Sequence, residues 1–214
     1  MRFLKVMLVV MFFLCGCSKK DDNQIKDIPL KENVTDNDPI TSPINTINID
    51  QYLFRDDVQY VDLRASRLIL EEGYVSGFEF IPFYNIIGSH GSGYTLYKMK
   101  NDVYVDGKLI SPGQVGSFEA QFEESESIIR GLFNKNKYIF FISQGGTECG
   151  YMINLLIQLG YDGNLLYNVG GVSNSEGVPS YRSIETNKYY VAGHSGFDVS
   201  VEYDFIEDLT PVTK

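Results

Sequence analysis

Residues 138–171 read YIFFISQGGTECGYMINLLIQLGYDGNLLYNVGG. The first five are apolar, rich in aromatic and β-branched side chains, and predict a buried strand over 138–142. Ser143-Gln144-Gly145-Gly146-Thr147 then forms a tight loop. Thr147 is the expected N-cap of a helix, and Glu148 falls in its first turn, where an acid suits the positive end of the dipole. Apolar residues at 152, 153, 155, 156, 157 and 159 are too dense for an exposed helix, so both of its faces are partly covered. Gly160 ends it as a C′ residue. A second apolar run over 165–169 closes on Gly170-Gly171. Strand, loop, helix, strand is a βαβ unit, which predicts a parallel sheet with a right-handed crossover.

In an open α/β sheet, ligands bind beyond the carboxyl ends of the strands. Loop 143–148 is such a place. Two readings of it stay open. Gly145-Gly146 can make a tight turn and nothing more, or the loop N–H groups and the helix N-terminus can cradle an anion.

The stretch resembles the second half of a rhodanese-like (sulfurtransferase) domain. That family has a strand ending in a catalytic Cys, a loop C-x-x-G-x-R, a helix, Leu-Gly-Tyr, a strand and Gly-Gly. Counting back from Leu159-Gly160-Tyr161 puts Ser143 at the Cys, Gly146 at the loop glycine and Glu148 at the arginine. Tyr60-Val61-Asp62-Leu63-Arg64, then residues 73–78 (GYVSGF) and Ile81-Pro82, resemble the family's first signature, with Tyr74 and Ser76 in place of His and Pro. Gly177-Val178-Pro179 resembles its closing Gly-x-Pro. The resemblance covers about 48–87 and 122–180. It implies an α/β fold with a rhodanese-like central parallel sheet flanked by helices.

What the family does with its loop is to hold a sulfane sulfur on the Cys thiolate, its charge stabilised by loop N–H groups and the arginine. Ser143 forms no persulfide, and Glu148 puts an anion where a cation belongs. Both departures argue against sulfur transfer and against a phosphatase using a related Cys and Arg loop. A hydrolase built on Ser143 would need a base; His90 and His194 lie in no informative motif, and no G-x-S-x-G elbow is present. Cys149 is the remaining candidate thiol. It lies near a helix N-terminus, where thiol pKa values fall, but beside Glu148, which opposes ionisation. Asp62 and Arg64 read as charged groups fixing a strand end rather than as substrate ligands. No metal spacing is present and no cofactor is expected.

Ahead of the domain, residues 1–16 read as a lipoprotein signal peptide: Arg2 and Lys5 first, then an apolar run over 6–14 too short to span as a helix. Leu14-Cys15-Gly16-Cys17 resembles a bacterial lipobox, which makes Cys17 the lipidated first residue. Acyl chains would hold it on a membrane, each buried methylene adding about 0.8 kcal/mol. Residues 17–47, polar and without aromatics, read as a flexible tether. Residues 48–214 are the domain, with helices over 66–72 and 122–133 and a first strand ending near 63.

Two regions depart from the family. Residues 84–121 are an insertion, with weak alternation over 94–99 and a β-hairpin over 103–110, whose Asp106-Gly107 suits a type I′ turn. The C-terminal tail is β-rich, with strand composition over 188–192 and 197–203. That tail could pair with the 94–110 region.

A net charge of −10 argues against nucleic acid, whose phosphates need Lys and Arg clusters. With Cys15 removed and Cys17 lipidated, Cys149 alone stays a thiol, so no internal disulfide forms. The sequence therefore describes a lipoprotein of the bacterial cell envelope, lipid-anchored on the extracytoplasmic side. Its domain acts as a binding or scaffold module for a protein partner or a small anion or thiol ligand at Ser143, Gln144, Gly145, Gly146, Thr147 and Glu148. The alternatives are an atypical sulfurtransferase or thiol enzyme using Cys149, or a purely structural envelope component.

Overall fold

The computed structural model describes residues 26–88, 94–100, 103–106, 108–111, 117–173 and 179–193. Cys17, the signal segment, His90, His194, Gly107 and the strand expected over 197–203 lie outside them. In chain order the elements are β1 (Val58–Asp62), α1 (Ser66–Glu72), β2 (Tyr74–Val75), β3 (Glu79–Phe80), α2 (Phe83–Ile86), β4 (Ile87–Gly88), β5 (Tyr97–Met99), β6 (Val103–Val105), β7 (Lys108–Ser111), β8 (Phe118–Ala120), α3 (Ser125–Leu132), β9 (Tyr138–Ser143), α4 (Thr147–Gln158), β10 (Leu166–Gly171) and β11 (Tyr190–Val191), with short 3-10 turns between some of them.

The four-stranded central sheet runs β10-β9-β1-β3, with every pair parallel. β9 is an inner strand, buried along almost its whole length. This agrees with its unbroken apolar sequence, since a strand covered on both faces has no polar alternation. Its side chains divide by parity. Ile139 and Phe141 join Met152, Ile153, Leu155 and Leu156 of α4 and Ile129 of α3 in one core. Phe140 and Ile142 join Tyr60, Tyr167 and Val169 in the other. The structure is thus mixed α/β, a parallel sheet with helices against it, as the βαβ pattern implied.

Helix α4 begins one residue earlier than a Thr147 cap would require. Gly146 is its N-cap, in the left-handed region at φ 93°, and Thr147 is the first helical residue. Its other end follows the expectation: Gly160 N–H donates to Ile157 O at 2.9 Å and Tyr161 N–H to Leu156 O at 3.0 Å, the paired bonds of a Schellman stop.

The second sheet face holds the main departure. Ile44 and Ile49, both essentially inaccessible, and Tyr52 pack there on Tyr60, Phe140 and Tyr167. The segment expected to be a free tether through residue 47 is therefore, from Lys26 onward, part of the fold. Lys31 Nζ donates to Leu166 O and Tyr167 Oη to Pro29 O, so the segment also covers the outer side of β10. The physical reason is that, among the described residues, no α-helix contributes to the core on this face. Burying one Ile side chain is worth roughly 1.5–3 kcal/mol, which offsets the ordering of one or two residues at about 1–2 kcal/mol each.

Within the insertion, β6 and β7 form the expected hairpin, with Asp106 at φ 51° in its turn. A separate small sheet, β4-β5-β8, carries Tyr97 and Phe118 into the helical core. The described part of the tail pairs elsewhere than with 94–110: β11 is antiparallel to β2, Tyr190 opposite Val75. No helix among the described residues is long and apolar enough to cross a membrane.

Candidate functional site

The loop after β9 lies where the βαβ argument places it, at the carboxyl end of the sheet, but it is closed. Ser143 is fully buried. Its Oγ accepts the Gly146 N–H at 2.8 Å, so that donor is spent inside the loop. Val172 N–H donates to Ser143 O at 3.0 Å, stitching the loop to the chain after β10. A Cβ at Gly171 would meet Gln144 O at 2.5 Å and Gly145 Cα at 2.9 Å, so only glycine lets the two segments touch. A Cβ on Gly146 would come within 3.0 Å of Pro39 Cγ, because the N-terminal segment lies across the loop.

Asn168 is the clasp. Its Nδ2 donates to Asn37 O at 2.6 Å and to Gly146 O at 2.9 Å, while its Oδ1 accepts from Gly170 N–H at 3.0 Å. One side chain thereby joins the N-terminal segment, the loop and an irregularity in the β9–β10 register between 168 and 170. Asn37 Nδ2 adds a bond to Asn154 Oδ1 of α4 at 2.5 Å.

Glu148 stands in the first turn of α4, half-buried, and its Oε2 is buried without a hydrogen-bond partner. Cys149, next to it, is completely buried, and its Sγ donates to Gly170 O at 3.9 Å. Burial pushes its thiol far above the ordinary cysteine range. A hydrogen bond with Ser143 works in the other direction, and the Glu148 and Asp62 carboxylates raise it further. Such a thiol stays protonated and out of reach of solvent, the opposite of a nucleophilic cysteine.

Asp62 and Arg64 form a bidentate pair whose side chains are wholly buried: Arg64 Nη2 is 2.7 Å from Asp62 Oδ2, and Nε donates to Asp62 Oδ1 at 3.0 Å. Nη2 also donates to Gly73 O at 2.8 Å. The pair locks the turn after β1 to the end of α1, the structural role expected of it. Arg64 Nη1 reaches 3.7 Å from Glu72 Oε2. Glu72 in turn accepts from Gln144 Nε2 at 3.2 Å and from Ser173 Oγ. A polar relay thus runs from β1 through Glu72 to the loop and to the chain after β10. Beyond it, Ser173, Ser180, Arg182 and Ser183 line a crevice of about 350 Å³.

Ser143, Gln144, Gly146, Glu148 and Cys149 are therefore together, as the sequence implied. Glu72, Ser173, Asn168 and the covering segment were missed. Asn168 had a visible signal, a lone amide in the otherwise apolar run LLYNV. Glu72 and Ser173 had none, since their meeting depends on tertiary structure. Among the described residues, no group of three or more His, Cys, Asp or Glu side chains is placed to hold a metal ion. No family model, no curated protein and no solved structure matches the chain.

Proposed function

We propose that this chain is a lipid-anchored protein of the bacterial envelope, with a rhodanese-like domain that serves as a binding or scaffold module and not as a sulfurtransferase. The observation that carries the reading is the closed loop. A hydroxyl, not a thiol, fills its centre and takes up the Gly146 N–H, and Pro39 lies over it. An acid replaces the cation that would hold a thiosulfate or persulfide charge. The competing thiol-enzyme reading needs an ionisable, accessible Cys149, and burial with two nearby carboxylates opposes both conditions.

Chemistry should be restorable at the loop if the resemblance is right. Ser143→Cys with Glu148→Arg supplies a thiol that accepts the Gly146 N–H and a neighbouring cation. One oxyanion-stabilising donor is typically worth about 3 kcal/mol, roughly 100-fold in rate, so the double variant, with Pro39→Gly added to uncover the loop, should gain thiosulfate-to-cyanide transfer over wild type. Ser143→Cys alone should gain less, because Glu148 disfavours the thiolate. The anchor is tested separately. Metabolic labelling with a fatty acid should mark wild type and leave Cys17→Ala unlabelled; label on the variant would remove the lipoprotein assignment.

A further inference from the structure

The crevice after β10 differs from the closed loop in having an unused cation. Arg182 lies on the short 3-10 turn Tyr181–Ser183, whose position is fixed by main-chain bonds: Arg182 N–H donates to Val172 O at 3.3 Å, and Ser180 bridges Gly171 as a parallel neighbour. Its guanidinium faces the Tyr190 ring at 5.4 Å. It has no ion pair or hydrogen bond with any described residue. In a chain of net charge −10, where the other described arginines are paired with carboxylates, this stands apart.

The rest of the wall is hydroxylic, and its hydrogen bonds give it a polarity. Ser173 Oγ–H donates to the Glu72 carboxylate, which can only accept. That leaves the lone pairs of the Ser173 oxygen, at the crevice wall, able to accept. Ser183 Oγ–H donates to Ser180 O at 2.9 Å, and Ser183 Oγ accepts the Ser180 N–H at 3.1 Å, so this hydroxyl is used by the turn. Arg64, 3.7 Å from Glu72, is shared with Asp62, so Asp62, Arg64 and Glu72 together keep one negative charge, and Arg182 is the cation among the described residues lining the crevice. Behind the same wall, Arg64 Nη1, Gln144 Oε1 and Tyr190 Oη are buried polar atoms without a hydrogen-bond partner. The crevice therefore offers a fork of cationic donors on one side and a hydroxyl acceptor on the other. It lies beyond the carboxyl end of β10, the sheet end at which α/β folds bind ligands, and its volume is at the small end of small-molecule pockets.

We propose that this crevice binds a small hydroxylated molecule carrying an oxyanion group, with Arg182 gripping the oxyanion and Ser173 accepting from a neighbouring hydroxyl. A carboxylate and a phosphate both fit a guanidinium fork. The site stands independently of the inactive loop, so it can hold even if the chain does transfer sulfur.

The test is titration of the full chain at fixed ionic strength with four probes: inorganic phosphate, glycerol 3-phosphate, acetate and glycerate. Backbone amide shifts around 172–173 and 180–183 are the readout. At least one hydroxylated probe should bind more tightly than its bare counterpart, and the phosphate and carboxylate arms say which head group is preferred. Arg182→Gln should weaken that binding about tenfold or more, since a hydrogen-bonded charge is lost. Arg182→Lys should fall between, having the charge without the fork. Ser173→Ala should erase the preference for the hydroxylated probe while the bare oxyanion still binds. Arg182 is exposed, so its variants should fold as wild type does. No saturable shifts with any probe, or affinity unchanged in Arg182→Gln, would overturn the proposal.

Discussion

A closed loop and a crevice meet at the carboxyl end of one parallel sheet, and they are built in opposite ways. The loop after β9 has the sequence of a site, yet its hydroxyl takes up the Gly146 N–H and Pro39 lies over it. The chain after β10 carries no catalytic motif, yet it leaves a guanidinium without an ion pair among the described residues, beside an open hollow. A motif fixes where the backbone goes. Whether the place can bind depends on which donors the fold has already used, and that is a property of tertiary contacts.

The comparison is most sharply broken at the relay that joins the closed loop to the crevice. Arg64→Ala should leave Asp62 as an uncompensated buried charge and cost about 3–5 kcal/mol in urea unfolding. A loss under about 1 kcal/mol would mean that the pair is not buried as described. Asn168→Leu removes the clasp, stranding the Asn37 carbonyl and the Gly170 N–H, and should cost about 1–3 kcal/mol. Amide exchange should quicken in both 36–40 and 144–147. Faster exchange in only one of them would mean that the covering segment and the loop are not held together.

Cys149 sharpens the comparison through pH. Burial keeps the folded thiol protonated where the unfolded one, ionising near about 8.5, has lost its proton. The unfolded state then binds fewer protons, so this contribution is constant below about pH 8.5 and is lost as pH rises, at up to about 1.4 kcal/mol per pH unit. Tyr60, pushed up to about 12 by burial, adds a second decline from about pH 10. Unfolding midpoints between pH 7 and 10 should fall less steeply in Cys149→Ser. An equal fall in both would mean that the thiol is exposed. The smallest effect is expected at Glu148. Its favourable place at a helix N-terminus and its unpartnered buried oxygen oppose each other, so Glu148→Gln should shift stability by less than about 1 kcal/mol.

The elements written as periodicity were legible in the sequence. The inner strand at 138–142, the helix closed by Gly160 and the hairpin around Asp106 each carry a local signal. The second sheet face was not legible. Ile44 and Ile49 sit in a polar stretch with no period, and only the bare face of Phe140 and Tyr167 explains their burial. The same holds for the site. Ser143, Glu148 and Cys149 could be placed by counting from Leu159-Gly160-Tyr161. The closure of their loop could not, because it depends on Pro39 and Asn37, more than a hundred residues away in sequence.

The central claim, that the loop after β9 is chemically silent, is tested most directly by one assay: thiosulfate-to-cyanide sulfur transfer by the wild-type chain, run beside Cys149→Ala. The account predicts no transfer above background in either protein. Robust transfer by wild type that disappears in Cys149→Ala would contradict it, and would make the buried thiol the nucleophile of an enzyme.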